Sequence, residues 1–102
     1  DVWDVAKTSG GTHVTDAERQ RLTALGEWGL ADVFRAHHSD AGLFSWWDYR
    51  GGAFHKREGM RIDLALCSRR VVDASTFVVI DRNARKGKQP SDHAPVLVDF
   101  DA

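Results

Sequence analysis

Along the chain the spacing of apolar residues passes from aperiodic, to helical, to alternating. Residues 1–13 contain Gly10-Gly11 and show no period, so they read as irregular chain carrying Trp3 inward. Thr15-Asp16-Ala17-Glu18 forms a capping box, in which the Thr15 hydroxyl accepts from the Glu18 amide and Glu18 reaches back. A helix is predicted from there to about Glu27, with Leu22 and Leu25 on the buried stripe and Arg19, Gln20 and Arg21 outside. Gly26 and Gly29 bracket its end. Leu30 to His37 predicts a second, short helix, with Leu30, Val33 and Phe34 at helical spacing.

Beyond residue 42 the period falls to two. Leu43 to Arg50 predicts an aromatic strand, with Phe44, Trp46 and Asp48 on one face and Ser45, Trp47 and Tyr49 on the other. Two aromatic faces in a small protein leave a ring near the surface, where a base or sugar can stack. Gly51 to Gly59 reads as a flexible, basic loop. Met60 to Cys67 alternates as a strand, placing Ile62, Leu64 and Leu66 opposite Arg61, Asp63, Ala65 and Cys67. Asp63 is the odd residue there, because a carboxylate among apolar and small neighbours needs a partner. Arg61 on the same face is one candidate; a histidine is the other. Arg69 to Ala74 reads as a polar helical turn, and Ser75 to Ile80 as a β-branched strand. Arg82 to Lys88 is a loop with four positive charges, and Val96 to Phe100 is the last strand.

Composition narrows the class. A length of 102 residues and 42% hydrophobic content fit one globular domain rather than a disordered chain. No apolar run approaches the roughly 20 residues that span a bilayer, so no membrane role is expected, and no signal-like segment leads the chain. The first residue is Asp1, as expected of a fragment or processed piece. A lone cysteine, Cys67 in an apolar run, predicts a buried, inert thiol in a cytoplasmic protein. The net charge of −1 hides an asymmetry. Residues 1–48 carry 4 basic and 8 acidic side chains, whereas residues 49–102 carry 10 and 7. A polyanion would favour the second half.

That half also holds Ser91-Asp-His-Ala-Pro-Val96. Successive strand residues point to opposite faces, so Asp92 and His93 can share a site only from the loop entering the strand. Pro95 supports such a loop, since it extends Ala94 and lacks a ladder donor. The plainer alternative is a turn capped by Asp92 with His93 merely exposed. Together with Asp63 the three residues carry chemistry. A carboxylate bonded to one imidazole nitrogen fixes the tautomer, and a second carboxylate can hold a divalent metal through oxygen. Without an activated serine or cysteine, the set suits metal-assisted hydrolysis by water. His37 and His38 are poor metal candidates, because adjacent helical positions do not share a face.

Phe44-Ser-Trp-Trp-Asp-Tyr-Arg50, Gly59-Met-Arg-Ile-Asp-Leu64 and Ser91-Asp-His-Ala-Pro-Val96, in this order, resemble the C-terminal motifs of the exonuclease III family. These are the apurinic/apyrimidinic endonucleases of the endonuclease/exonuclease/phosphatase superfamily. Asp1 to Asp4 and Trp28 to Arg35 are similar as well. The resemblance implies an α/β fold, part of a four-layer DNase I-like sandwich. Residues 1–102 would form the C-terminal part of one domain, supplying helices and most of one mainly antiparallel sheet. It implies a DNA repair nuclease that uses Mg²⁺ (or Mn²⁺), cuts double-stranded DNA 5′ to abasic sites and trims blocked 3′ ends. His93 would face the scissile phosphate, Asp63 would orient it, and Asp92 would be the metal-side carboxylate. Trp46 would line the abasic-sugar pocket with Met60 and Ile62, and Lys56, Arg57, Arg85 and Lys86 would hold the DNA backbone. The family's Gly-Asp-x-Asn motif, N-terminal asparagine, metal-binding glutamate and active-site tyrosine have no counterpart here. The expectation is therefore an inactive fragment with an exposed apolar face or pairing edge, prone to self-association. Two rivals are a non-catalytic DNA-binding or structural piece and a superfamily phosphoesterase with another substrate. The aromatic stretch speaks against the second.

Overall fold

The computed structural model describes residues 1–101. Helix α1 (Val5–Thr8) is a single turn capped by Asp4, whose carboxylate accepts from the Lys7 amide at 3.1 Å. Helix α2 (Asp16–Trp28) starts where the capping box predicts: the Thr15 hydroxyl accepts from the Glu18 amide at 3.2 Å. Glu18 returns to that hydroxyl at 2.8 Å rather than to the Thr15 amide. Gly29 ends the helix at φ 121°, a backbone state that side-chain-bearing residues avoid.

Gly29 also explains the first departure from the predicted pattern. Leu30–Asp32 is not helical but forms strand β1, because the chain leaves Gly29 extended and Asp32 must stay extended to act as a helix cap. Its carboxylate accepts from the Arg35 amide at 3.2 Å and opens helix α3 (Val33–His37). Strand β1 pairs antiparallel with β2 (Leu66–Ser68), with Ala31 opposite Cys67. Helix α5 (Arg69–Ala74) begins at once after β2, and α4 (Ala53–Lys56) lies earlier in the chain. Strand β3 (Ser75–Ile80) pairs antiparallel with β4 (Val96–Phe100), Val78 opposite Val98, with an irregularity between Ser75 and Phe77. The described residues therefore hold two separate two-stranded antiparallel ladders rather than most of one sheet.

The predicted strand at residues 43–50 is not regular. The Ser45 and Trp46 amides both point at the Met60 carbonyl, each at 3.0 Å, so two residues oppose one and alternation is lost. Phe44 and Ser45 are consequently both buried. Residues 61–65 stay outside the ladders too, and of the predicted 60–67 strand only Leu66 and Cys67 fall in one, within β2. The expected flexible loop at 51–59 is instead a 3₁₀ turn (Arg50–Gly52) running into α4. A second 3₁₀ turn, Arg82–Arg85, occupies the start of the predicted basic loop.

Two small cores result. Val33, Phe34 and Val78 join the two ladders, with Ala65, Cys67, Val72 and Val98 around them. Phe44, Trp47, Ala53 and Ala94 form the other, against Trp3 (turned inward as expected) and Phe54. Ile80 borders both. His37 and His38 serve packing: their Nε2 atoms lie 2.7 Å from Ser75 Oγ and 2.6 Å from the Val78 carbonyl. Helix α2 buries none of its residues. Leu22 and Leu25, expected inside, are 47% and 40% exposed, because no described residue covers the open cavity of about 320 Å³ that they line with Val2, Met60, Ile62 and Leu64.

Candidate active site

Ser45 organises the site from below. Its side chain is fully buried, and its hydroxyl accepts from the amides of Ile62 and Asp63, each at 3.1 Å. Its carbonyl accepts from the Ala94 amide at 2.7 Å. One residue thus ties the Asp63 segment to the loop that enters β4. That loop is shaped locally as well: Ser91 Oγ accepts from the His93 amide at 3.1 Å, and the Pro95 carbonyl accepts from the Asp81 amide at 2.9 Å.

The two tethered segments bring Asp63 Oδ2 to 2.7 Å from His93 Nδ1. Nδ1–H donates to the carboxylate, which orients the ring and leaves Nε2 as its working nitrogen. The His93 and Asp63 side chains are 43% and 41% exposed, so the pair is open to solvent and contributes little to stability. Arg61, the rival partner for Asp63, is buried and engaged elsewhere. Its Nη2 lies 2.6 Å from Asp32, and its Nε reaches Asp1, which also binds Arg35.

Asp92 lies in the loop beside His93, and its Oδ2 accepts from Trp46 Nε1 at 3.0 Å. The spacing of residues gave no sign of this contact. Trp46 also bridges Met60 on one side and His93 on the other. It shares a cavity of about 370 Å³ with Met60 and the 7–13 segment, where His13 meets the Trp46 ring edge-on at 6.3 Å. His13, at φ 70°, was missed, since the segment has no period to mark it. Ile62 lines the neighbouring cavity, which Met60 shares and Trp46 does not, so the three expected pocket residues do not enclose one space.

The basic residues divide. Lys56, Arg57 and Lys86 are exposed, and Arg57 takes the left-handed position that closes α4. Arg85 is turned inward. It is 7% exposed, its Nη1 donates to the carbonyls of Trp47 at 2.8 Å and Asp92 at 2.6 Å, and aromatic rings surround its guanidinium. Nearby, Arg50 chelates Asp48 and lowers its carboxyl from 3.8 to about 2.

As a metal site the donor set does not close. Among the described residues no three histidine, cysteine or acidic side chains gather. A hard divalent cation wants several oxygens, and Asp92 is one carboxylate with an oxygen already bonded to Trp46.

A model of the endonuclease/exonuclease/phosphatase family matches residues 9–93. The chain belongs to this family. Exodeoxyribonuclease III of Haemophilus influenzae is 38% identical over 84 residues, covering 81% of this chain and 32% of that protein. Among solved structures, the 3′-phosphatase NExo from Neisseria, bound to a product DNA hairpin, superposes with a TM-score of 0.93 at 37% identity. An AP endonuclease from Archaeoglobus fulgidus gives 0.92 at 27% identity. Each structure covers all of this chain, which in turn covers 40% of each. The endonuclease/exonuclease/phosphatase chain thus spans about a third of the length of the curated relative and has the DNase I-like α/β fold. Nucleases of this family are generally dependent on divalent metals. Among the described residues no helix is long and apolar enough to cross a membrane.

Proposed function

We propose that this chain supplies the histidine side of a cytoplasmic, metal-dependent DNA repair nuclease, which cuts the phosphodiester 5′ to abasic sites in double-stranded DNA and trims 3′ ends. The observation that carries this reading is the 2.7 Å contact between His93 Nδ1 and Asp63, held beside a tryptophan whose indole binds Asp92. In this reading His93 Nε2 faces the scissile phosphate, Asp63 orients the ring, and water is the nucleophile. Asp92 is the carboxylate offered to Mg²⁺ (or Mn²⁺), and the remaining ligands lie outside residues 1–102. Trp46 and Met60, with Ile62 beyond, receive a baseless sugar, which enters cheaply because no base has to be unstacked. Arg57 and Lys86 hold the backbone without regard to sequence.

The test is His93→Ala in the complete gene product, assayed on an abasic-site duplex with Mg²⁺. We expect kcat to fall by about 10²–10⁴-fold, the scale of a lost proton-transfer group. An unchanged kcat would overturn the reading. The unfinished donor set favours a second statement about residues 1–102 in isolation: they bind DNA weakly and do not turn it over, because losing one member of a cooperating set removes nearly all catalysis. Cleavage by the purified 102-residue chain, free of contaminating nuclease, would refute that.

A further inference from the structure

We infer that Arg85 is a positioning residue that locks the Asp92–His93 loop in register with the Trp46–Trp47 segment and makes no contact with DNA. This role rests on the proposed function, in which Asp92 and His93 work on the phosphate. Its basis is where the charge goes. A buried guanidinium is costly unless its donors are used. Among the described residues no carboxylate lies within ion-pair distance of Arg85. One nitrogen, Nη1, instead donates to two carbonyls on two different segments, Trp47 at 2.8 Å and Asp92 at 2.6 Å. The rings of Phe54, Trp47 and Tyr49, with centroids 4.8, 5.5 and 5.5 Å away, complete the enclosure.

The second carbonyl is the informative one. It belongs to the peptide unit that joins Asp92 to His93, and that unit is a rigid plane. The Trp47 amide donates to the same oxygen at 3.2 Å, so two donors fix the orientation of one plane. Turning it would swing the Asp92 carboxylate away from Trp46 Nε1 and the His93 ring away from Asp63 together. Charged donors form the stronger hydrogen bonds, which suits a clamp on a loop whose histidine is half exposed. Lys86, the next residue, is exposed, so the two adjacent cations serve opposite ends.

The experiment compares Arg85→Lys with Lys86→Ala in the complete gene product, measuring kcat, KM and the salt dependence of DNA binding. Lysine keeps the charge, but its compact, strongly hydrated ammonium lacks the flat face that packs among the three rings. For Arg85→Lys we expect kcat to fall by about 10- to 100-fold, the scale of a small misplacement of reacting groups, with KM and the salt slope unchanged. Lys86→Ala should lower the salt slope by about 1, as loss of one phosphate contact does. The hydrogen-bonded Nδ1 proton of His93, followed by NMR, should lose protection in Arg85→Lys. In Arg85→Ala, guanidinium ion should restore part of kcat where sodium chloride at equal ionic strength does not. A lysine variant with normal kcat, a salt slope that falls as in Lys86→Ala, or a lower melting temperature with normal turnover overturns the proposal. Should both variants fail to fold, the wild-type protein decides: Arg85 Nη protons that exchange freely, or that shift when DNA is added, overturn it. A collapse of kcat in His93→Ala beside a normal Arg85→Lys sinks this inference alone, whereas a normal His93→Ala sinks the proposed function on which it rests.

Discussion

The segment from Phe44 to Trp47 and helix α2 both carry large apolar side chains, yet they end in opposite states. In the first, Phe44, Ser45 and Trp47 are buried, and the segment's amides, carbonyls and one hydroxyl are bonded to the Met60, Asp63 and Asp92 segments. In the second, thirteen residues carry Leu22 and Leu25 on one face and bury neither. The segment beneath the candidate chemistry is packed on its inner side. The helix is ordered by its cap and its own backbone while its apolar face remains uncovered. Local rules can therefore complete a helix without completing its packing.

The largest expected contrast is between Trp47 and Leu22. Trp47→Ala should destabilise the chain by about 3–5 kcal/mol in urea unfolding, as for any large buried ring. Leu22→Ala should cost well under about 1 kcal/mol. Comparable losses would mean that α2 is covered in solution, and the contrast would collapse. Next, Ser45→Ala leaves the Ile62 and Asp63 amides without their acceptor and should cost about 1–3 kcal/mol. Cysteine at this position should recover less than threonine. A neutral Ser45→Ala would show that the hydroxyl does not hold the two segments.

A smaller effect concerns association. Replacing Leu22 and Leu25 together by glutamate should shift the 102-residue chain toward monomer in sedimentation at high concentration. An unmodified chain that is already a clean monomer would remove the exposed face as a cause of self-association. The smallest effect is the acid response of Asp48. Its folded-state carboxyl is depressed, so the stability it contributes is present above its ordinary value of 3.8 and is lost as pH falls toward about 2. Arg50→Ala should flatten the urea midpoint across that window, and an unaltered slope would assign the acid response to other carboxylates.

Much of this architecture was legible in the sequence. The Thr15 cap, α5, β3 and β4 lie where local spacing puts them, because each rests on its own residues. The Asp63–His93 contact was one of two open partners for a carboxylate that could not stay alone. What escaped is instructive. Helical spacing identifies the apolar face of α2 but not whether another layer arrives to cover it. A run such as Arg82 to Lys88 looks the same whether a guanidinium meets water or three aromatic rings. Leu30 stands at helical spacing from Val33 and Phe34, yet Gly29 and the capping demand of Asp32 put Leu30–Asp32 in a strand.

Gly59 carries a final consequence. A methyl group there would fall 2.5 Å from Trp47 Nε1, 2.7 Å from its Cδ1 and 2.8 Å from Phe44 Cδ2. No side chain is acceptable at 59 while the indole stands at 47, and a smaller residue at 47 uncovers Arg85. A side chain at 59 therefore needs two rings to give way, the Trp47 indole and the Phe44 ring. Both rings are buried, so losing either is itself damaging, and the three residues constrain one another.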